Sequence, residues 1–313
     1  MSAYLIRRLI QIPIVLVGIT LLTFLVVHLS PGDPAAIMAG PGSSPEDVAN
    51  IRHQLGLDKS LPQQYLDYMG RILRGDFGRS LIRGVSVAED LKYAFVNTFN
   101  LVVVARIWSL IVAIPLGVIA AVRQNSIWDR LCMAGSLLGL SLPTFWVGLI
   151  LMSIFSLRLG WLPLSGMGES SMWTLDGLKY AILPAFTLGA PQVASLARLT
   201  RSTMLEVLRQ DYIRTARAKG LSERIVIYKH ALKNASLPIT TIIGMQTGYM
   251  LAGTVVIESV FAWPGLGRLS VLSILARDFP LIQGTILVIA LFFVLVNLAV
   301  DLTYSWLDPR IKY

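Results

Sequence analysis

Along the 313 residues, long apolar stretches alternate with short polar segments. Six stretches stand out: Leu9 to Leu29, Thr98 to Val122, Leu131 to Leu157, Tyr180 to Ala197, Ser236 to Ile257 and Gln283 to Trp306. A helix needs about 20 apolar residues to cross a hydrocarbon layer roughly 30 Å thick. Helices and closed barrels alone satisfy every backbone polar group in lipid, and unbroken apolar runs favour helices. The pattern predicts an all-α integral membrane protein of six transmembrane helices. The first stretch follows Arg7 and Arg8, as a signal peptide would, but about twenty apolar residues exceed a signal core. Ser30-Pro31-Gly32-Asp33-Pro34 then forms a turn without a small-x-small cleavage pattern, so a retained anchor over 1–30 is expected.

The long segment 31–97 carries amphipathic patterns of its own. Ser44 before Pro45 and Glu46 predicts an N-cap, and Val48, Ile51 and Leu55 share a face before Gly56 stops the helix. A second helix near Pro62 to Leu73 presents Tyr65, Met69 and Ile72. These helices fit packing at the outer mouth, contact with a binding partner, or a purely interfacial cap. The remainder, 98–313, reads as the membrane core, with a polar loop at about 198–235.

Composition agrees with lipid as the solvent: 55% of residues are hydrophobic and 14% charged, with a mean hydropathy of +0.66. The formal charge of +9 would suit nucleic acid, yet the basic residues cluster between the apolar runs, as membrane topology dictates. No nucleic-acid partner is expected. Arg7 and Arg8, Arg123 and Arg130, the loop from Arg198 to Lys233, and Arg310 and Lys312 fall on one side of a six-span topology. That side is expected to be cytoplasmic, with both termini on it. The opposite loops, near Arg158 to Lys179 and Glu258 to Ile282, are poorer in basic residues.

Chemistry is sparse. The single Cys132 excludes an intrachain disulfide and any multi-cysteine cluster. No GxxxxGK[ST], GxSxG or HExxH pattern occurs, so neither nucleotide hydrolysis nor a familiar hydrolase centre is visible. His28, His53 and His230 share no element and are expected to make local hydrogen bonds rather than bind metal. Within the spans, Arg106 either snorkels outward or serves a transport path. Asn297 and Asp301, one turn apart, are expected to make interhelical hydrogen bonds. A proton- or sodium-coupled carrier usually needs several mid-membrane carboxylates, and this chain offers at most one.

The richest stretch is the loop, with nine basic residues against three acidic ones. Asp211 to Ser222 reads as helix and turn: Gly220 suits a left-handed C′ position, Ser222 an N-cap, and Pro238 the first turn of the fifth span. Ala216 and Ala218 keep the turn slim among Arg214, Arg217 and Lys219, a shape suited to a groove on a partner.

This loop resembles the ATPase-facing loop of ABC-importer permeases in its dipeptide/oligopeptide form. His28 to Pro34, Gly75-Asp76-Phe77-Gly78, Ser141-Leu142-Pro143, Glu258 to Gly267 and Arg277-Asp278-Phe279-Pro280 are similar to further motifs of that family, in order. Ala216-Arg217-Ala218 departs from the Glu-Ala-Ala of the wider superfamily. The resemblance implies a type I importer permease that is not itself an enzyme. It implies an ATPase-docking loop at Thr215, Ala216, Arg217, Ala218, Lys219, Gly220, Leu221 and Ser222. It also implies an outer gate or binding-protein contact at Glu258, Trp263, Pro264 and Gly265, with Trp263 exposed at the mouth or, as a competing reading, a re-entrant plug. The implied partners are a second homologous permease, two ABC ATPases, an extracytoplasmic substrate-binding protein and membrane lipid. No cofactor is expected on this chain; ATP and Mg would act in the partner subunits. A self-sufficient carrier or channel is the alternative from another class.

Overall fold

The computed structural model describes residues 2–29, 33–40, 42–54, 56–169 and 171–307; side chains are described from Ile10 to Val300 within those ranges and at Leu302. In chain order the helices are α1 Ser2–Leu29, α2 Pro34–Ala39, α3 Pro45–Gln54, α4 Leu61–Leu73, α5 Val87–Val122, α6 Ile127–Ser141, α7 Thr144–Leu151, α8 Leu175–Leu208, α9 Asp211–Ala218, α10 Glu223–Ile225, α11 Lys233–Val260, α12 Leu266–Ala276 and α13 Phe279–Leu307. Wide π-helical turns continue α7 through Met152–Arg158 and join α10 to α11 through Val226–Leu232. Among the described residues the β structure is one isolated bridge, Arg79 to Ser86.

Among the described residues, five helical stretches are long and apolar enough to cross a membrane: Ile10–Leu29, Val87–Val122, Leu175–Leu208, Glu223–Val260 and Phe279–Val300. The expected third span is broken instead: Ile127–Ser141 and Thr144–Arg158 meet at 104°, giving six spans if the pair counts as one. Pro143 is the reason. Its ring disfavours helical geometry in the residue before it, and Leu142 is extended at φ −84°, ψ 133°. Pro238 also departs from expectation. It lies inside α11, which runs on from the π turn, rather than in a first turn. Pro184 and Pro191 are likewise embedded in α8, and membrane-spanning helices tolerate such prolines.

The chain forms two compact units. One comprises Phe99–Trp263 and the end of α13 from Leu295. Its core joins Ala113, Val118 and Ala121 of α5, Leu196, Ala197 and Met204 of α8, Ile213 and Ala216 of α9, and Ala235 and Ile239 of α11. Small residues set the spacing, as helix packing in lipid requires. A Cβ on Gly117 would lie 2.5 Å from the Thr200 Cβ and 2.6 Å from the Ala197 carbonyl oxygen. Trp108 donates to the Ala185 carbonyl at 2.7 Å and stacks on Phe186 at 4.8 Å, in the space that Gly189 leaves open.

The other unit comprises Ser2–Thr98 and Pro264–Val294. Val87, Leu91 and Ala94 of α5 pack with Leu266 of α12 and Leu281 of α13, and Phe77 joins them. The Gly75 to Gly78 turn is fixed by Asp76 Oδ1, which accepts from Gly78 N at 2.9 Å. Buried Asp278 accepts from the Ser80 hydroxyl and, at 3.2 Å, from Leu81 N. In the 31–97 segment α3 begins as expected: Ser44 Oγ accepts from Asp47 N at 3.1 Å while Asp47 Oδ2 accepts from Ser44 N at 3.2 Å. Gly56 closes it in the left-handed region at φ 68°; Leu55 lies outside the described residues. Helix α4 lays its aromatic face on α1, with Tyr65 3.0 Å from the Thr20 hydroxyl and Tyr68 fully packed behind Phe24. Sequence spacing pointed to Tyr65, Met69 and Ile72; Tyr68, three residues beyond Tyr65, is the most buried.

Candidate functional site

The basic loop folds into a small knob between two spanning helices. Helix α8 keeps its regular form to Leu208, so Arg198 and Arg201 belong to the helix rather than to a loop. Helix α9 then carries two apolar positions on one face, Ile213 and Ala216, and both are buried against the core of their unit. The turn after α9 has the 6→1 and 5→2 bonds of a Schellman motif. Leu221 N donates to the Ala216 carbonyl at 3.4 Å, and Gly220 N to the Arg217 carbonyl at 2.9 Å. Gly220 sits at φ 77°, the conformation that favours glycine and that the sequence predicted. Across the turn, Arg217 donates from Nε and Nη2 to Glu223 at 2.7 and 3.3 Å, bracing the knob without covering its tip.

Thr215, Arg217, Ala218, Lys219, Gly220, Leu221 and Ser222 are exposed. Ala216 is not. At 7% exposure it is an anchor of the knob, not part of its surface. Ser222 occupies the expected N-cap position with extended backbone, but its hydroxyl makes no capping bond; its carbonyl accepts from Ile225 N at 2.9 Å instead. The anchor Ile213 was missed by sequence reasoning, although an isoleucine three residues before an alanine in an otherwise polar helix carries that signal. Also missed was the ion pair at the root of the knob. Arg201 grips Asp129 of α6 with two N–H groups, one at 2.8 Å, and Asn125 N supports the carboxylate at 2.9 Å. Residues 72 apart in sequence give no local pattern to read.

The expected outer residues divide between the two units. In the first, α11 ends in another Schellman turn: Trp263 N donates to the Glu258 carbonyl at 2.8 Å, and Ala262 takes φ 49°. Glu258 and Trp263 are both fully buried, which overturns the expectation of an exposed tryptophan. The large ring gains more from packing than from water. In the second unit the Pro264 carbonyl accepts from Asn97 Nδ2 at 3.0 Å, Gly265 is the extended N-cap of α12, and Leu266 N donates to Thr98 Oγ1 at 2.8 Å.

His28 and His53 make local side-chain contacts. His28 bonds the Phe24 carbonyl and Gln64, at 2.8 and 2.9 Å, while His53 pairs with Asp58 at 2.6 Å and holds that carboxyl below its usual range. The His230 carbonyl accepts from Asn234 Nδ2 at 2.7 Å. Arg106, at the middle of α5, does not snorkel: all three guanidinium nitrogens are buried without a hydrogen-bond partner among the described residues. The Asp301 side chain lies outside the described residues.

With this geometry in place, the family can be identified. A model described as binding-protein-dependent transport system inner membrane component matches residues 113–313, and its N-terminal companion matches residues 1–116. The chain belongs to this family. The permease is 44% identical, over the whole of both chains, to a glutathione transport system permease protein, GsiC, of Salmonella typhimurium. It is 43% identical over both full lengths to the protein of the same name in Escherichia coli K12. It is also 42% identical to the dipeptide transport system permease protein DppB of Alkalihalophilus pseudofirmus, again over both full lengths. The permease is thus an all-α, multi-pass inner-membrane component of a binding-protein-dependent ABC importer, of the peptide and glutathione type. Its family is one of transport components rather than enzymes.

Proposed function

We propose that this permease forms half of a translocation pore for small peptides, a class that includes glutathione, with a second homologous permease as the other half. Two ABC ATPases dock on the knobs, bind ATP and Mg, and supply the energy; an extracytoplasmic binding protein delivers cargo to the opposite face. Both termini and the knob then lie on the cytoplasmic side, in keeping with the basic residues there. The observation that carries the docking role is the knob itself. Its slim, exposed Arg217–Ser222 tip is held by the Gly220 turn and the Arg217–Glu223 brace, and rooted in the core by Ile213 and Ala216. Such a part transmits displacement as a lever, so a change of ATPase spacing biases the bundle between two states.

For the outer residues, full burial of Glu258 and Trp263 supports the plug reading over direct binding-protein contact. Trp263→Ala is then expected to reduce membrane assembly and transport together.

Docking is tested by Ala218→Glu and by Gly220→Pro in the assembled transporter. Ala218→Glu places a charge on the exposed tip, and Gly220→Pro forbids φ 77°. Both should abolish uptake and binding-protein-stimulated ATPase activity while insertion remains normal. Normal uptake by Ala218→Glu would remove the docking role from the knob.

A further inference from the structure

A cavity of about 940 Å³ opens between the C-terminal end of α1, helices α3 and α4, and the start of α13. Its size is that of a small-molecule site. Its floor is apolar, built from Phe24, Val27, Phe279 and Pro280; its rim is charged. On that rim Asp33 pairs with Arg52 and Asp67 with Lys59, at 2.5 and 2.6 Å. Arg71 and Arg74, at the end of α4, also line the cavity, and neither is ion-paired within the described residues. Four cations against two carboxylates leave a net charge of +2 facing the space.

The elements that line the cavity decide what fits. Phe24 lies five residues inside the apolar stretch that ends at Leu29, about 7.5 Å below its end at 1.5 Å per residue. Phe279 opens the last apolar stretch and lines the same cavity. The apolar lining thus belongs to stretches apolar enough to cross a membrane, whereas Arg71 and Arg74 come from the end of α4, outside them. Leu66, on the rim, is 67% exposed, and Leu73 on the same face of α4 is 81% exposed, an apolar edge beside the cavity for a lipid chain to cover. A peptide drawn from water would leave backbone groups unsatisfied against the phenylalanine floor. An amphiphile with an anionic head satisfies both halves.

We infer that this cavity is a binding site for an anionic phospholipid, with the phosphate held by Arg71 and Arg74 and the glycerol and upper acyl region against Phe24, Val27 and Phe279. The lipid occupies the seam between α4 and the first and last spans. Basic side chains near an anionic surface attract it modestly, which suits a selective rather than irreversible site.

The test is native mass spectrometry of the permease, purified in mild detergent with its accompanying subunits and incubated with phosphatidylglycerol or phosphatidylcholine. Retained phosphatidylglycerol should exceed phosphatidylcholine at least tenfold. Arg71→Gln/Arg74→Gln should remove that preference, and Arg71→Lys/Arg74→Lys should keep it. Lys92→Gln, a charge loss away from the cavity, should leave it intact. Equal retention of the two lipids by the unaltered protein, or unchanged preference in the glutamine variant, overturns the site. Displacement of the lipid by millimolar inorganic phosphate would show recognition of a free anion and overturn the lipid assignment.

Discussion

Removing Arg201 should cost the permease more than neutralising Asp129, although the two form one ion pair. Asp129 is 5% exposed at the side chain and Arg201 21%. Arg201→Met leaves the carboxylate with Asn125 N as its remaining donor among those described. An orphaned buried charge costs about 3–5 kcal/mol. The site's position in the first turn of α6, with Arg201 21% exposed to water, brings the expectation to about 3 kcal/mol. Asp129→Asn keeps the volume and strands a guanidinium that water can reach, for about 1.5 kcal/mol. The coupling from a double-mutant cycle with Arg201→Met/Asp129→Asn should be about 2 kcal/mol, because the double change leaves no charge behind. Unfolding in mixed micelles of graded denaturing detergent gives the global numbers. Labelling of Cys132, three residues from Asp129 on the same helix and half-buried, reports local opening of α6. A cost below 1 kcal/mol for Arg201→Met, or a greater cost for Asp129→Asn, would refute the reasoning.

Other outcomes follow from neighbouring features. Ala216→Leu adds three carbons at a buried position and should destabilise by about 1–3 kcal/mol, whereas Ala218→Leu, on the exposed tip, should stay within about 0.5 kcal/mol in thermal unfolding while lowering stimulated ATPase activity. Ala262→Gly relieves an alanine at φ 49° and should raise stability by about 1 kcal/mol in the same assay. Tyr68, whose hydroxyl is pushed up to about 12 by burial, stays protonated when the unfolded chain would ionise. The folded state then holds the extra proton, so stability should fall as pH rises from 10 towards 12. Tyr68→Phe should flatten that limb of an alkaline stability profile, and an unchanged slope would contradict it.

Apolar run lengths by themselves determined the solvent, the helical class and the approximate positions of the spans, because lipid leaves a backbone few ways to satisfy its polar groups. The same logic made Gly220 and Gly56 legible as helix stops, since a left-handed residue is a local requirement. The knob's exposed tip was legible for that reason too. Its anchoring was not, because Ala216 faces the core only once α9 folds back on α5, α8 and the π turn. Burial of Trp263 and Glu258, the Asp129–Arg201 pair, and the cavity that gathers Arg71 and Arg74 beside Phe24 and Phe279 were likewise decided by tertiary structure. Each depends on residues brought together from distant segments, and composition cannot say whether a tryptophan will find a core or an arginine a partner. The break of the third span stands between the two: Pro143 announced it locally, while the 104° bend needed the folded chain.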